Sequence, residues 1–255
     1  MNHELSHTYI VTGATGAIGA AIVRALIARE AREKHSCHLI LACRNADKAD
    51  SLINSLKKEK GAENATIEFI GLDLGRFASV KKFVDTVRER DILITTLFNN
   101  AGTMPGEMHL TVDGYESATQ VNYIATRMLT HMLLDNIEDG GSIVFTTSLT
   151  RRFARLHSDW EERSRQHQNR FITYGRSKKM ITSYAMHLAR QLKPRDIRVN
   201  CSDPWIVDSA MITMGVPWID RLSDRMFRPL IHRPEQGAAT AIKAAFSPET
   251  GRIFS

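Results

Sequence analysis

Cysteine is scarce in this chain, and its placement argues against a disulfide-stabilised fold. The 255 residues include three cysteines, Cys37, Cys43 and Cys201, an odd number without paired spacing. Each lies in a short apolar run, which is typical of buried thiols in a reducing compartment. No metal-ligand spacing joins them to the ten histidines, so the sequence predicts neither a disulfide framework nor a metal site.

Long hydrophobic runs are also absent. No apolar stretch approaches the roughly 20 residues that a membrane-spanning helix needs. The N-terminal MNHELSHTYIV lacks a charged segment followed by a long apolar one, so we expect no signal peptide. These absences predict a cytoplasmic protein without a membrane span.

The positive charge of the chain is not concentrated in one tail or stripe. The net charge is +6, which would suit a phosphate-bearing small molecule. The Arg-rich stretch 151–170 rarely alternates its arginines with the aromatic residues on which bases stack. We interpret this stretch as a solvated insertion and expect no nucleic-acid partner.

Short apolar runs alternate with amphipathic segments along the whole chain. Apolar strands separated by helices indicate a parallel sheet that is covered on both faces. With no linker or repeat, residues 1–255 are predicted to form a single doubly wound α/β domain of the Rossmann type, with about seven strands flanked by helices on both faces. The predicted strands are 7–12, 37–43, 66–72, 92–98, 142–147 and 197–201, with a seventh ending at the C-terminal GRIFS; the predicted helices are 17–30, 46–60, 77–90, 115–136, 174–192 and 234–246.

The stretch TGATGAIG, residues 12–19, lies between the first predicted strand and the first predicted helix. Glycines at such a turn let the backbone approach a pyrophosphate, and the helix N-terminus supplies N–H donors. The alternative is a tight strand-to-helix turn without a ligand. The strand–turn–helix context favours dinucleotide binding.

The residues after the second predicted strand indicate which dinucleotide would bind. An acid at this point grips a ribose 2′-hydroxyl, whereas an arginine accommodates a 2′-phosphate. The sequence here is LACRN, with Arg44 and no acid before Asp47. This favours NADP(H) over NAD(H), the alternative being that Arg44 is an ordinary surface residue.

A phenol and an ammonium are four residues apart in YGRSK, residues 174–178. On a helix, Tyr174 and Lys178 share one face. A fixed cation beside a phenol lowers its pKa and suits it to proton transfer. Taken alone, the same spacing also fits an ordinary amphipathic helix.

Several motifs in order resemble the short-chain dehydrogenase/reductase family over nearly the whole chain. They are TGATGAIG (12–19), LDL (72–74), NNAG (99–102), VN (121–122), FTTS (145–148), YGRSK (174–178) and DPWIV (203–207). The chain is most similar to the short form and its retinol-dehydrogenase-like branch. This resemblance implies an NADP(H)-dependent oxidoreductase acting on an alcohol, aldehyde or ketone. It also implies a homodimer or homotetramer paired through the helices near 115–136 and 174–192.

The resemblance assigns roles to individual residues. Tyr174 would be the acid/base, Ser148 would bind the substrate oxygen, and Lys178 would bind the nicotinamide ribose and depress the pKa of Tyr174. Asn122 would hold a water in a proton relay from Lys178. The cofactor-binding residues would be Gly13, Thr15, Gly16, Ile18, Gly19, Arg44, Asn45, Asp73, Leu74, Asn100, Ala101, Gly102, Tyr174, Lys178, Pro204 and Val207.

Three departures from the family pattern leave alternatives open. Ala17 replaces a glycine of the short-form loop, so the spacing resembles the extended branch that includes nucleotide-sugar epimerases. Trp205 follows Pro204 where glycine is usual, and Ser209 lies where a threonine is common. A non-catalytic dinucleotide-binding regulatory protein is therefore a second interpretation. The Met- and Trp-rich stretch 209–232 fits either core packing or a lid over a lipophilic substrate.

Overall fold

Seven parallel strands form the central sheet of the protein. The computed structural model describes residues 6–163, 169–204 and 233–255. The sheet order is β3-β2-β1-β4-β5-β6-β7, as predicted for a doubly wound α/β fold. The strands are β1 Ser6–Thr12, β2 Ser36–Cys43, β3 Ala65–Gly71, β4 Ile94–Asn99, β5 Ile137–Thr146, β6 Arg198–Ser202 and β7 Ile253–Phe254.

Helices cover both faces of this sheet, which explains why the strands are apolar throughout. Along β1, Ile10 packs into one core with helices α3, α5 and α7, while Tyr9 and Val11 pack into the other with α1 and α8. The helices are α1 Ala17–Glu33, α2 Ala46–Leu56, α3 Phe77–Glu89, α4 Ser117–Thr119, α5 Ala125–Met132, α6 Trp160–Arg163, α7 Arg170–Gln191 and α8 Pro234–Phe246.

The direction of winding reverses at β1. This strand pairs with β2 on one side and with β4 on the other, so the loops after β1 and β4 separate towards opposite faces. Ligands of such folds bind in the crevice outside the carboxyl ends of the strands at this point. The loops after β1, β4, β5 and β6 are therefore where the functional residues should meet.

Two elements differ from the sequence prediction. Strand β5 begins at Ile137 rather than at 142, because Ile137 pairs with Ile94 across a register shift. Gly140, with a φ of +80°, lies within this irregular stretch. The helix predicted over 115–136 is α4 and α5 joined by a π-helical turn, Gln120–Ile124. Within the described part of the chain, no helix is long and apolar enough to cross a membrane.

Candidate active site

A glycine loop connects β1 to the first turn of α1. Gly13 adopts a left-handed backbone with a φ of +65°. The N–H of Gly16 donates to the Gly13 carbonyl at 3.0 Å. A Cβ at Gly19 would lie 2.3 Å from that same carbonyl oxygen. The loop can therefore close against α1 only because residue 19 is glycine.

The N-terminus of α1 is open to a ligand. Gly16 and Ala17 are exposed, and Thr15 and Ile18 are partly exposed. The first turn of α1 carries no acidic side chain. Its free N–H groups and the positive end of the helix dipole can therefore receive an anion such as a pyrophosphate. The exposed methyl group of Ala17 leaves this opening in place.

Arg44 and Asn45 follow β2 at the same edge of the sheet. Arg44 is exposed and forms no ion pair with any residue that the structure describes. Its guanidinium is thus available to an anionic ligand. The side-chain carbonyl oxygen of Asn45 caps α2, because it accepts the Lys48 N–H at 2.8 Å.

Asp73 and Leu74 form the turn after β3. The Asp73 carboxylate accepts the N–H of Gly75 at 2.9 Å, and its side chain is 31% exposed. Leu74 is buried, and its carbonyl accepts a hydrogen bond from Gln120 at 3.4 Å. Asp73 therefore shapes its own turn and keeps part of its surface available to a ligand.

The segment after β4 is clamped to the glycine loop. The Asn100 side-chain amide donates to the Thr12 carbonyl at 2.9 Å, and the Ala101 N–H donates to the Thr12 hydroxyl at 2.9 Å. A Cβ at Gly13 would lie 2.9 Å from the Ala101 Cα. Asn100 and Ala101 thus fix the loop across the point where the winding reverses.

Asn122 lies in the π-helical turn between α4 and α5, an element that is frequent at functional sites. Its side chain accepts the N–H of Thr103 at 2.8 Å, and its amide donates to the Thr103 carbonyl and the Ser177 hydroxyl. A Cβ at Gly102 would lie 3.2 Å from Lys178 Nζ and 3.3 Å from Asn122 Oδ1. Glycine at 102 therefore lets both side chains approach the same backbone.

Ser148 and Tyr174 meet at the carboxyl end of β5. Ser148 Oγ accepts hydrogen bonds from the N–H and the hydroxyl of Thr150 at 3.4 and 3.1 Å. Its own O–H is then left to donate, and the interaction of Ser148 with the Tyr174 phenol lowers the pKa of that phenol. A Cβ at Gly175 would lie 3.1 Å from the Thr150 carbonyl oxygen. The small residue after Tyr174 thus lets α7 approach the Ser148 turn.

Lys178 lies behind Tyr174 on the same face of α7. Its Nζ is 5.7 Å from the centre of the Tyr174 ring and donates to the Thr146 carbonyl at 2.8 Å. The residue is buried, with 3% of its surface exposed. The Thr182 hydroxyl donates to the Lys178 carbonyl at 2.7 Å and is bonded to Thr147, which fixes α7 against β5.

Burial dominates the acid–base properties of this pair. It raises the pKa of Tyr174 to about 12, aided by the Asp203 carboxylate and opposed by the Ser148 hydrogen bond. It lowers the pKa of Lys178 to about 8, opposed by Asp203. The expectation that Lys178 depresses the pKa of Tyr174 is therefore corrected, because burial of the phenol decides the direction in this structure.

The sequence reasoning missed an ion pair between Arg151 and Asp203. The Asp203 side chain is buried, 5% exposed, and the Arg151 side chain is partly buried, 11% exposed. The Arg151 guanidinium also donates to the Ser148 carbonyl at 2.8 Å. The Asp203 N–H donates to the Phe254 carbonyl at 2.8 Å. The one available signal was that both residues follow neighbouring strands, β5 and β6, at their carboxyl ends.

Part of the predicted site lies outside the described residues. Pro204 is buried directly after β6. Trp205, Val207, Ser209 and the stretch 209–232 are beyond the described part of the chain. The predicted cofactor contact of Val207 and the predicted lid stay predictions.

An anion-binding loop and a pair of hydroxyl groups lie at the same edge of the sheet. The glycine loop and Arg44 can hold an anionic ligand. Tyr174 and Ser148 bring two hydroxyl groups close together, with the Lys178 ammonium 5.7 Å from the Tyr174 ring. Such a set can stabilise negative charge that develops on a carbonyl oxygen and supply it with a proton.

Comparison with known proteins agrees with this arrangement. The family described as short chain dehydrogenase matches residues 7–218. Polyprenol dehydrogenase of Homo sapiens is 31% identical over 249 residues, which cover 94% of this chain and 72% of that protein. Retinol dehydrogenase 11 of Homo sapiens is 27% identical over 242 residues, which cover 93% of this chain and 72% of that protein.

A solved structure shares the fold. It is the crystal structure of a blue fluorescent protein from a metagenomic library in complex with NADPH, with a TM-score of 0.74 and 23% identity. The match covers 97% of this chain and 95% of that one.

Proposed function

The chain belongs to the short chain dehydrogenase family, and from that premise we propose that it uses NADP(H) to interconvert an alcohol with an aldehyde or a ketone. The observation that carries the proposal is the joint placement of Tyr174, Ser148 and Lys178. The phenol is hydrogen-bonded to Ser148, and the ammonium lies 5.7 Å from the phenol ring.

The residues of the loop after β1 fit a nicotinamide dinucleotide. A Cβ at Gly19 would fill the turn that the backbone forms. The first turn of α1 has no acidic side chain, so nothing there repels a pyrophosphate. In our proposal the loop N–H groups hold the pyrophosphate, Asp73 the adenine and Lys178 the nicotinamide ribose. Residues 100–102 form the wall behind the cofactor, and Pro204 and Val207 hold its carboxamide.

The proton is handled by side chains of the chain itself. The bound dinucleotide supplies or accepts the hydride. Tyr174 and Ser148 donate hydrogen bonds to the substrate oxygen, on which negative charge develops during reduction. Because its pKa is raised to about 12, Tyr174 is protonated at neutral pH and can act as the general acid. In the oxidative direction the same residue, in its ionised form, would accept the proton of the alcohol.

Arg44 supports a preference for NADP(H) over NAD(H). We expect its guanidinium to bind the 2′-phosphate with charge-assisted hydrogen bonds, each contributing about 1.5–3 kcal/mol. The test is a titration of the purified protein with NADPH and with NADH, followed by nicotinamide fluorescence. A matched control for Arg44→Asp is Arg32→Asp, since Arg32 is 72% exposed at the far end of α1.

The expected result is tighter binding of NADPH than of NADH in the wild type. Arg44→Asp should weaken NADPH binding by about tenfold or more. It should not weaken NADH binding, because an acid at this point can bind the ribose 2′-hydroxyl. Arg32→Asp should behave like the wild type. Equal binding of both dinucleotides by the wild type would contradict the cofactor preference, and binding of neither would favour a different function for the fold.

Exposed apolar side chains beside the site support a lipophilic substrate. Phe153 and Leu156 follow the Ser148 turn and are 83% and 43% exposed, while Phe171 and Ile172 begin α7 and are about half exposed. The stretch 151–170, interpreted from the sequence as a solvated insertion, therefore also exposes apolar side chains to the solvent. The names of two relatives point the same way, to polyprenol and retinol. We expect long-chain isoprenoid aldehydes to be reduced with a lower KM than short, polar aldehydes.

The family premise also supports self-association. We propose a homodimer or homotetramer paired through α5 and α7 with their flanking turns. Size-exclusion chromatography with light scattering tests this, and a monomer at all concentrations would contradict it.

A further inference from the structure

Two histidines and a glutamate converge at the edge of the sheet opposite the candidate active site. His7 lies at the start of β1, Glu30 in the last turns of α1, and His35 directly before β2. Their nitrogen and carboxylate oxygen atoms all lie within 4.8 Å of one another. The proposed reaction uses none of these residues.

The geometry of the cluster is close to that of a metal site. His7 Nδ1 is 2.8 Å and His35 Nδ1 is 3.4 Å from the same oxygen, Glu30 Oε2. Ligand atoms of a tetrahedral zinc ion, with bonds of roughly 2.0–2.1 Å, are separated by about 3.3 Å. Glu30 is 3% exposed, whereas His7 and His35 are 25% and 33% exposed. Water can therefore reach a fourth coordination position from the outside.

Hydrogen bonds hold the cluster in this arrangement. The Tyr9 hydroxyl donates to Glu30 Oε1 at 2.8 Å, which orients the carboxylate so that Oε2 faces the two imidazoles. The His35 N–H donates to the Glu30 carbonyl at 2.9 Å, and Lys34 has a left-handed backbone with a φ of +60°. This turn reverses the chain after α1 and brings His35 next to Glu30. Such a second layer of contacts is what orients metal ligands in known sites.

The charges around the cluster are mixed but favour a cation at the imidazoles. The carboxylates of Glu30 and Glu138 both act on His7. Arg29 opposes this, but its Nε lies 3.6 Å from Oε1, the oxygen turned away from the histidines. Its guanidinium is stacked on Phe246.

We propose that His7, Glu30 and His35 bind a zinc ion, with water in the fourth position. Imidazole nitrogen and carboxylate oxygen are both ordinary zinc ligands. The ion would connect β1, α1 and β2 at the edge of the sheet remote from Tyr174. Its effect is therefore on the stability of the fold, and it is independent of the proposed oxidoreductase reaction.

The test is a titration of the full chain with zinc sulfate after treatment with EDTA, by calorimetry and by thermal unfolding. The variants are His7→Ala and His35→Ala. The matched control is His38→Ala, because His38 is 21% exposed and bonded to Glu68 at 2.6 Å without a second histidine at that oxygen.

The wild type and His38→Ala should bind one zinc ion and unfold at a higher temperature with zinc than without it. His7→Ala and His35→Ala should lose affinity by about tenfold or more and show no zinc-dependent rise. Circular dichroism of the zinc-free variants verifies that they fold. X-ray absorption of the zinc-loaded wild type should show two imidazole ligands.

Three outcomes would overturn the proposal. They are the absence of stoichiometric zinc binding by the wild type, undiminished binding in both histidine variants, and a zinc environment dominated by sulfur. The first would mean that the cluster is only a hydrogen-bonded ion pair. The other two would mean that zinc binds elsewhere in the chain.

Discussion

Arg151 and Asp203 form a largely buried ion pair next to the Ser148 carbonyl. The guanidinium donates both to the Asp203 carboxylate and to the Ser148 carbonyl, so it links the carboxyl ends of β5 and β6. The negative charge of the Asp203 carboxylate contributes an upward shift to the pKa values of both Tyr174 and Lys178. One ion pair thus affects both the position of the proposed substrate-binding hydroxyl and the protonation of its neighbours.

Asp203→Asn should destabilise the protein and slow turnover. The substitution leaves the Arg151 guanidinium buried without its counter-charge, which costs about 3–5 kcal/mol in comparable cases. Urea unfolding followed by circular dichroism measures the loss of free energy of unfolding. The double variant Arg151→Met/Asp203→Asn should recover much of the stability, because no unpaired charge remains, but not the rate. Equal stability of Asp203→Asn and wild type would contradict the importance of the pair.

The pH dependence of cofactor use should report the protonation of Lys178. Its pKa is lowered to about 8 by burial, so the ammonium is present below that pH and is lost above it. We therefore expect kcat/KM for NADPH, which reflects the free enzyme, to be constant below about pH 8 and to fall above it.

The same profile tests the coupling to Asp203. Since the Asp203 carboxylate raises the pKa of Lys178, removing its charge in Asp203→Asn should move the alkaline fall to lower pH. A profile that is flat through the alkaline range, or one that moves to higher pH in the variant, would show that Lys178 does not control this step.

Gly19→Ala should weaken dinucleotide binding. The new Cβ would lie 2.3 Å from the Gly13 carbonyl oxygen, so the loop must move away from α1. Overpacking of this kind costs roughly 1–3 kcal/mol, and a loss of that size in binding free energy corresponds to about 5- to 150-fold in affinity. Gly71→Ala is the control, because its Cβ meets only the Phe69 ring at 3.7 Å. Unchanged NADPH binding in Gly19→Ala would place the cofactor elsewhere.

The sequence sufficed for those features that depend on local pattern. Apolar runs between amphipathic segments predicted the seven-stranded doubly wound sheet, and the ordered motifs predicted the family; both are confirmed. The predicted likeness to retinol dehydrogenases agrees with the 27% identity to retinol dehydrogenase 11. Strand β5 begins five residues before the predicted start. The sequence Glu-Asp-Gly-Gly is typical of a turn, so the prediction began after it, but Ile137 before this stretch already pairs with Ile94.

Features that depend on contacts between distant segments were not visible in the sequence. Arg151 and Asp203 are 52 positions apart, and nothing local marks them as partners. The pKa of Tyr174 is raised because its phenol is buried in the folded protein. The four-residue spacing of Tyr174 and Lys178 in the sequence does not show this burial. The grouping of His7, Glu30 and His35 depends on the left-handed turn at Lys34, where the sequence has no glycine to signal it.

In the proposed reaction, Tyr174 transfers the proton during an NADP(H)-dependent reduction. The most direct test compares Tyr174→Phe with Tyr184→Phe, a change on the same helix at a buried phenol that has no hydrogen-bond partner among the described residues. NADPH affinity and carbonyl reduction at saturating NADPH are measured for both.

Tyr174→Phe should bind NADPH like the wild type while its kcat falls by roughly 10²–10⁴-fold, the usual contribution of a general acid. Tyr184→Phe should retain the wild-type rate. Wild-type turnover by Tyr174→Phe, with NADPH bound normally, would contradict the proposed mechanism.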